Sequence, residues 1–337
     1  MKRELASVYR CPGTGEPLAL QDEVVDGDEV VSGNLVAAAG HGFPIDHGVP
    51  NLVWPVQLAG ADRNVREFYD GRADVYDRYL PLTFATFREN EGEMRQAMID
   101  RLMLKPGQRV LEVGAGTGRD SEIIAGRLGV TGELFCQDIA PLMLTRNRAL
   151  LSSQGVRAHF ALANASHLPF PDRYFDAVFQ FGGVGEFSDI PGFFREAARV
   201  TKVGGRVVVG DESMPPWLRD TTFAKVLTFT NAQFAAPLPL EHLPVEAREV
   251  TLRWIIGGTF YLIDFSIGEG EPPADFDFSI PGVRGGTHRT RYFGQLEGVK
   301  PETKQLALQA REKLGMSMHD WLDALVRREA EKILRDG

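Results

Sequence analysis

The sequence predicts an α/β fold built on a seven-stranded, mostly parallel sheet. Short β-rich runs alternate with helical stretches of about ten to fifteen residues through the middle of the chain, a pattern typical of right-handed crossover units. A glycine-rich turn follows the first of these strands. Later, Gly257-Gly258 separates two more β-rich runs, and a glycine pair in that setting predicts an antiparallel hairpin.

The individual elements follow from hydrophobic periodicity and from glycine and proline breaks. We predict parallel strands at 109–113, 133–138, 158–162, 175–181 and 206–211, helices near 119–128, 141–154 and 192–201, and hairpin strands at 250–256 and 259–267. Residues 62–104 have helical spacing, and 303–334 predict two amphipathic helices separated by Gly315. The chain therefore divides into a small β-rich unit (1–57), a main domain (62–298) and a C-terminal helical hairpin (299–337).

Composition and charge exclude several classes of function. The 337 residues carry a net charge of −9, which disfavours nucleic acid as a partner. The two cysteines, Cys11 and Cys136, exclude a disulfide framework. No apolar run approaches the length of a membrane span and the first residues contain no secretory signal, so we expect a cytoplasmic protein with no membrane partner.

The glycine-rich turn runs Val110-Leu-Glu-Val-Gly-Ala-Gly-Thr-Gly118, between a strand and a helix. Gly114 and Gly116 remove Cβ atoms where a ligand must approach the helix N-terminus. A dinucleotide site prefers glycines spaced G-x-G-x-x-G, whereas the third glycine here comes one residue early. The acid Glu112 would repel a pyrophosphate but suits an ammonium group, such as that of S-adenosylmethionine (SAM).

A second acid supports the same ligand. Asp138 ends the next strand, twenty residues after Gly118, where a carboxylate can accept both ribose hydroxyls. This spacing alone is shared by sites for NAD and for SAM, but together with E-x-G-x-G-x-G it favours SAM.

From about Phe68 to Ile267 the chain resembles the class I SAM-dependent methyltransferases, especially the quinone-biosynthesis C-methyltransferases with a type 11 domain. The resemblance lies in the turn above and in the motifs Ala163-Asn-Ala-Ser-His-Leu-Pro-Phe170, Asp172-Arg-Tyr-Phe-Asp-Ala-Val178 and Glu196-Ala-Ala-Arg-Val-Thr-Lys-Val-Gly-Gly-Arg206. It implies a Rossmann-like fold. It also implies SAM as the cofactor, bound by Glu112, Gly114, Gly116, Thr117, Asp138, Ile139, Met143, Asn164, Ala165 and Gln180.

Asn164 departs from that family, which usually has an aspartate that accepts from the adenine amino group. An asparagine oxygen can also accept, so we expect adenine recognition to persist. The alternative interpretation of Asn164 is a residue that caps its own turn.

Three side chains are candidates for catalysis. Tyr76 lies in a helix that resembles the family's lid, although its spacing also suits core packing. Glu186 follows the fourth strand, where it can serve as a base or cation partner, or simply start a helix. His242 lies in the variable stretch 212–246, which resembles a substrate-selecting cap, and a lone histidine there also suits packing.

The two ends of the chain resemble other small domains. Cys11-Pro and the motif Phe43-Pro-Ile-Asp-His-Gly-Val-Pro-Asn-Leu52 resemble the zinc ribbon that accompanies some methyltransferases, but one cysteine cannot build a tetrahedral zinc site, so we predict no metal. The tail resembles the helices of ribbon-helix-helix repressors without their basic strand. We therefore expect a packing or dimerising hairpin that does not bind DNA.

These observations predict a methyltransferase that acts on a small molecule. Two alternatives use the same binding motifs: an enzyme that cyclises SAM itself and releases methylthioadenosine, and a regulator that binds SAM without turnover. Room for a second substrate, and the nucleoside product released, distinguish the first two.

Overall fold

The structure is a computed structural model that describes residues 1–152, 157–294 and 298–336. The chain forms two compact units, one from Met1 to Pro272 and one from Pro273 onward. The domain boundaries that we predict near residues 57 and 298 stay a prediction, because the compactness of these two units does not test whether each predicted segment folds independently.

The first unit begins with a four-stranded antiparallel sheet. Its strands follow one another in chain order: β1 (Leu18–Asp26), β2 (Glu29–Ala37), β3 (Gly42–Asp46) and β4 (Val49–Pro50). Just after β4, Asn51 forms a parallel bridge with Leu162, and the Leu52 amide donates to the Leu162 carbonyl at 2.8 Å. The small sheet is therefore joined by hydrogen bonds to the edge of the main sheet.

Three helices come next, as the periodicity of 62–104 predicted: α1 (Gly60–Asp70), α2 (Ala73–Thr86) and α3 (Glu91–Ile99). Helices α1 and α2 carry many polar residues. The buried residues of these two helices are Ala73 and Phe84, both in α2. Phe84 belongs to a buried apolar cluster with Phe260, and Ala73 belongs to one with Met143, so apolar as well as polar contacts position these helices. We call α1 and α2 the lid.

The main sheet has seven strands in the order β10-β11-β9-β8-β5-β6-β7. They are β5 (Arg109–Val113), β6 (Glu133–Asp138), β7 (Ala158–Leu162), β8 (Phe175–Phe181), β9 (Thr201–Glu212), β10 (Ala247–Ile255) and β11 (Phe260–Ile267). The helices between them are α4 (Arg119–Leu128), α5 (Pro141–Ser152), α6 (Ile190–Val200) and α7 (Thr222–Thr230). Strands β5 to β9 pair in parallel, whereas β11 pairs antiparallel with β9 and β10.

The predicted fold class is confirmed, and the differences lie at element ends. Helix α6 begins before the predicted 192 because the Asp189 side chain accepts from the Gly192 amide at 2.8 Å and caps the helix. Strand β9 begins at Thr201, five residues before the predicted 206, and the predicted end of the helix at Gln154 lies outside the described residues.

One apolar core spans the small sheet and one face of the main sheet. Tyr9 and Phe43 of the N-terminal part belong to the same buried cluster as Phe135, Phe170 and Phe175. The Tyr9 and Phe170 ring centroids are 5.7 Å apart, within the range of a stabilising aromatic pair. The small sheet and the main sheet are therefore packed as one body.

In its described residues, the second unit contains three helices, α8 (His288–Phe293), α9 (Pro301–Leu314) and α10 (Met318–Asp336). Gly315 ends α9 with a φ of 64°, as expected for a glycine C-cap, so the predicted break between two helices is confirmed. Within residues 1–152, 157–294 and 298–336, each helix is too short or too polar to cross a bilayer. The same residues contain no cluster of three His, Cys, Asp or Glu side chains that could hold a metal ion.

Asp264 anchors the antiparallel part of the sheet and yields a stability prediction. It is fully buried in β11, where it accepts from Arg101 at 3.0 Å and from Arg206, whose side chain is also buried. Asp264→Ala removes the buried partner of the Arg206 cation, so we expect a loss of about 3 kcal/mol in the free energy of unfolding. Denaturant unfolding measures it.

Asp172→Ala serves as the matched control. Asp172 is 74% exposed at its side chain and pairs with Arg199 at 2.8 Å, so its loss should cost less than about 1 kcal/mol. Equal effects of the two substitutions would contradict the role assigned to Asp264.

Candidate functional site

The glycine-rich turn joins β5 to α4 and has one open side. Gly114 and Gly116 have φ values of 65° and 53°, and a Cβ on Gly114 would meet no atom within 4 Å. A Cβ on Gly118 would instead lie 2.6 Å from the Asn147 Oδ1. The first two glycines therefore leave space for a ligand, whereas the third permits close packing of the turn against α5.

Asp138 lies at the end of β6 directly beside this turn. Its Oδ2 accepts from the Gly116 amide and its Oδ1 from the Ala140 amide, both at 2.8 Å. Burial raises the pKa of Asp138 to about 6, against the lowering effect of these two hydrogen bonds. Each carboxylate oxygen keeps further acceptor capacity that a diol can use.

A narrow cavity of about 90 Å³ opens between the turn, Asp138 and the lid. Seven of the predicted cofactor-binding residues line this cavity: Gly114, Gly116, Asp138, Ile139, Met143, Asn164 and Ala165. Lid residues close its other side, among them Asp62, Val65, Tyr69 and Tyr76. This volume is below the roughly 300 Å³ that is typical of ligand pockets, and the lid side chains occupy part of the space.

A wider cavity of about 500 Å³ adjoins the narrow one, and both are bordered by Tyr69, Tyr76 and Glu186. Its wall includes the predicted Thr117, the aromatic rings of Tyr79 and Phe84, and the acids Asp120, Asp211 and Glu212. A narrow and a wide space therefore lie next to each other at this edge of the sheet.

Glu186 and two tyrosines meet where the cavities join. The Tyr69 hydroxyl donates to the Glu186 Oε2 at 2.8 Å, and the Tyr69 and Tyr76 rings pack edge to face with centroids 5.9 Å apart. Burial raises the pKa of Glu186 and raises that of Tyr76 to about 12. Tyr76 therefore stays neutral, and Glu186 takes up a proton more readily than an exposed glutamate.

Lid acids attach the lid to the rest of the domain. Asp77 in α2 accepts from the Thr117 hydroxyl at 2.8 Å and from the Arg119 Nε at 3.1 Å, which fixes α2 over the glycine turn. Asp70 at the end of α1 accepts from the Leu142 amide at 2.9 Å. These polar contacts add to the apolar packing of Ala73 and Phe84 in positioning the lid.

Glu112 does not face either cavity, contrary to the sequence-based prediction. Its side chain is buried behind the turn and accepts from the Ser121 hydroxyl at 2.5 Å. Burial raises the pKa of Glu112 well above its usual value. A carboxyl buried in this place does not face an ammonium group in either cavity.

Two more predicted residues lie elsewhere. The Gln180 side chain is fully buried, and its Nε2 donates to the Gly182 carbonyl at 3.0 Å. This hydrogen bond stabilises the loop after β8. His242 ends a short 3-10 helix that packs against α6, beside Glu241, and lines neither cavity. We therefore assign no catalytic role to His242.

The structure also adds site residues that sequence reasoning missed. Asp120 lines the wide cavity, and its Oδ2 accepts from Arg95 at 2.7 Å while its Oδ1 has no hydrogen-bond partner among the described residues. Asp211 accepts from the Gly183 and Gly185 amides and shapes the loop that carries Glu186. Asp120 lies two residues after Gly118, so its closeness to the glycine motif could have indicated a site residue. Asp211 ends a predicted strand, and nothing in the sequence around it indicates a role in the site.

The glycine turn and the acid-ended second strand lie side by side at one edge of the seven-stranded sheet. Residues 110–205 match the family model described as "Methyltransferase domain".

Two curated relatives are similar to the central part of the chain. The ubiquinone/menaquinone biosynthesis C-methyltransferase UbiE of Cupriavidus metallidurans is 39% identical over 153 residues, which are 45% of this chain and 59% of the relative. The protein of the same name from Chromobacterium violaceum is 41% identical over 106 residues, 32% of this chain and 43% of the relative. The chain thus spans at most about three fifths of these relatives.

Among solved structures, a SAM-dependent methyltransferase from Aquifex aeolicus matches 51% of this chain and 89% of its own, at 18% identity and a TM-score of 0.39. A phosphoethanolamine N-methyltransferase from Haemonchus contortus, in complex with SAM, matches 68% of this chain and 63% of its own, at 14% identity and a TM-score of 0.48.

The buried position of Glu112 yields a prediction that tests whether this residue contacts the ligand, as the sequence suggests, or lies behind the turn, as in the structure. Glu112→Gln replaces the carboxyl by a neutral amide of the same shape that can still accept from Ser121. We expect the affinity for S-adenosylhomocysteine (SAH), measured by calorimetry, to change by less than about threefold. A loss of about a hundredfold would instead indicate that the Glu112 charge contacts the ligand.

Proposed function

We propose that the protein is a SAM-dependent methyltransferase that acts on a small-molecule acceptor. The observation that carries the proposal is the Asp138 carboxylate beside the open faces of Gly114 and Gly116, at the end of the narrow cavity that the lid covers. A carboxylate at this strand end suits two ribose hydroxyls, and the open glycines suit a ligand that passes along the backbone.

We propose that the remaining cofactor contacts come from both cavities. Ile139, Met143 and Ala165 supply apolar surface around a base, with Asn164 beside them. At the opposite end, the Asp120 carboxylate, which lines the wide cavity, is an acceptor for the ammonium group of the methionine part. Thr117 holds the lid through Asp77 rather than contacting the ligand with its hydroxyl.

SAM supplies an electrophilic methyl group on a sulfonium sulfur. In our proposal, the wide cavity binds the acceptor, and the Tyr69 and Tyr76 rings exclude water where the cavities join. Aromatic faces also favour a nearby cation. Glu186 takes the proton from the acceptor, because burial raises its pKa toward the range of a useful base and Tyr69 holds its carboxylate in place.

The wide cavity also bears on the alternative of SAM cyclisation. A reaction within one molecule needs no second binding space, whereas about 500 Å³ lined by aromatic and acidic side chains matches the size of a pocket for a separate small molecule. The cavity therefore supports transfer to an acceptor over cyclisation.

Two further properties belong to this proposal. Cys11 and Cys136 are buried free thiols, which suits a cytoplasmic location. The C-terminal helices expose Leu306, Leu314 and Ile333, which suits the predicted homodimer contact. The net charge of −9 remains unfavourable for nucleic-acid partners.

The reaction is tested with purified protein and SAM carrying a trideuterated methyl group. We expect intact SAM when no acceptor is present, and SAH with a deuterated product after a pool of small metabolites is added, both detected by mass spectrometry. Asp138→Ala should abolish the SAH signal, because the ribose contact is lost. Methylthioadenosine from SAM alone would overturn the proposal in favour of cyclisation.

The pKa of Asp138 predicts how cofactor binding depends on pH. Because burial raises this pKa to about 6, the carboxylate is present above that pH and becomes protonated below it. The affinity for SAH should therefore fall as pH decreases through about 6, by at most about tenfold per pH unit. Calorimetry between about pH 5 and pH 8 measures this.

Asp138→Asn is the control for this titration. The amide keeps the size of the side chain and has no proton to lose, so the variant should bind SAH weakly and without the change near pH 6. A wild-type affinity that stays constant over the whole range would contradict the ribose role of Asp138.

A further inference from the structure

The Asn164 side chain is already committed to other residues. Its Nδ2 donates to the Asp62 Oδ2 at 2.9 Å, and its Oδ1 accepts from the Ser166 amide at 3.1 Å, within its own turn. Asn164 is 5% exposed, so it is held in place by packing as well. Asn164 therefore acts as a turn cap and as a donor toward the lid, which leaves the recognition of an amino group to another residue.

Asp62 occupies the position of that other residue. It lies in the first turn of α1 and lines the narrow cavity together with Asn164 and Ala165. Its Oδ2 accepts from Asn164 and from the Ser188 hydroxyl, at 2.9 Å and 2.8 Å. Among the residues that the structure describes, its Oδ1 receives one long contact, of 3.4 Å, from the Ser188 amide. A carboxylate offers about four lone-pair sites, so Oδ1 retains acceptor capacity.

The two donors also fix the orientation of Asp62. Asn164 follows β7 and Ser188 follows the loop that carries Glu186, so the carboxylate is held from two sides of the cavity mouth. An acceptor fixed in this way loses little entropy when it binds a ligand donor.

We propose that Asp62 accepts the hydrogen bond of the adenine amino group, so that the base of the cofactor is recognised by the lid and not by the sheet. This inference rests on the proposed function, since it assumes that the narrow cavity holds the adenosine part. Because Asp62 is part of α1, selection of adenine then occurs only when the lid is in place.

The chemistry of the base provides the test. In S-inosylhomocysteine, an oxo group replaces the adenine amino group of SAH. The oxo oxygen has no hydrogen to donate, so it cannot form this hydrogen bond with the Asp62 carboxylate. Wild-type protein should therefore bind SAH at least about tenfold more tightly than S-inosylhomocysteine. Calorimetric affinities for the two compounds give this ratio directly.

Asp62→Ala should bring the ratio to about one or below. The substitution removes the carboxylate and frees the Asn164 Nδ2, which is a donor for an oxo group. Adding Asn164→Asp to Asp62→Ala supplies a carboxylate from the sheet and should restore the preference for SAH. Thermal unfolding of each variant confirms that the fold is retained.

Asp74→Ala is the matched control, because Asp74 is a lid acid that pairs with Arg146 away from the cavities, with its side chain 92% exposed. It should change both affinities by the same factor and leave their ratio unchanged. If Asp62→Ala keeps the wild-type ratio while binding SAH, the inference about Asp62 is overturned and the proposed function stands. If wild-type protein binds neither compound, the proposed function fails as well.

Discussion

The hydrogen bond from the Gly116 amide to the Asp138 carboxylate is the contact on which the site depends. It ties the turn after β5 to the end of β6, so two neighbouring strands present one continuous surface to a ligand. The parallel pairing of β5 with β6 sets the distance between the two groups, and the packing of Gly118 against Asn147 keeps the helix close behind the turn. The lid is then attached to this surface through Asp77 and Thr117.

Most of the fold followed from local sequence pattern. Strands buried on both faces appear as short apolar runs, and the bounds predicted for β5 to β8 agree with the structure because glycines, prolines and polar turns interrupt those runs. The shared core of the N-terminal and main sheets could not be predicted this way. Contacts such as Tyr9 with Phe170 join residues far apart in the chain, and no local pattern encodes them.

The site was predicted less completely than the fold, and for a physical reason. Motif spacing placed Gly114, Gly116 and Asp138 at the cavity, because strand ends in a parallel sheet meet at one edge. Spacing does not tell which way a side chain points. Glu112 points behind the turn toward Ser121, and Asn164 points toward Asp62, a residue 102 positions earlier in the chain. The acids of the lid were missed because an acidic residue on an exposed helix looks like an ordinary solvated one.

The position of the small N-terminal sheet has a consequence for the behaviour of the chain in solution. The outermost strand of an open parallel sheet offers a row of unpaired amides and carbonyls, which invites pairing with another chain. Here Asn51 and Leu52 occupy part of that row on β7, and the aromatic core behind them is covered by the same segment. Hydrogen bonds and apolar area of the N-terminal segment thus cover part of the β7 edge, which leaves less of it open to pairing with another chain.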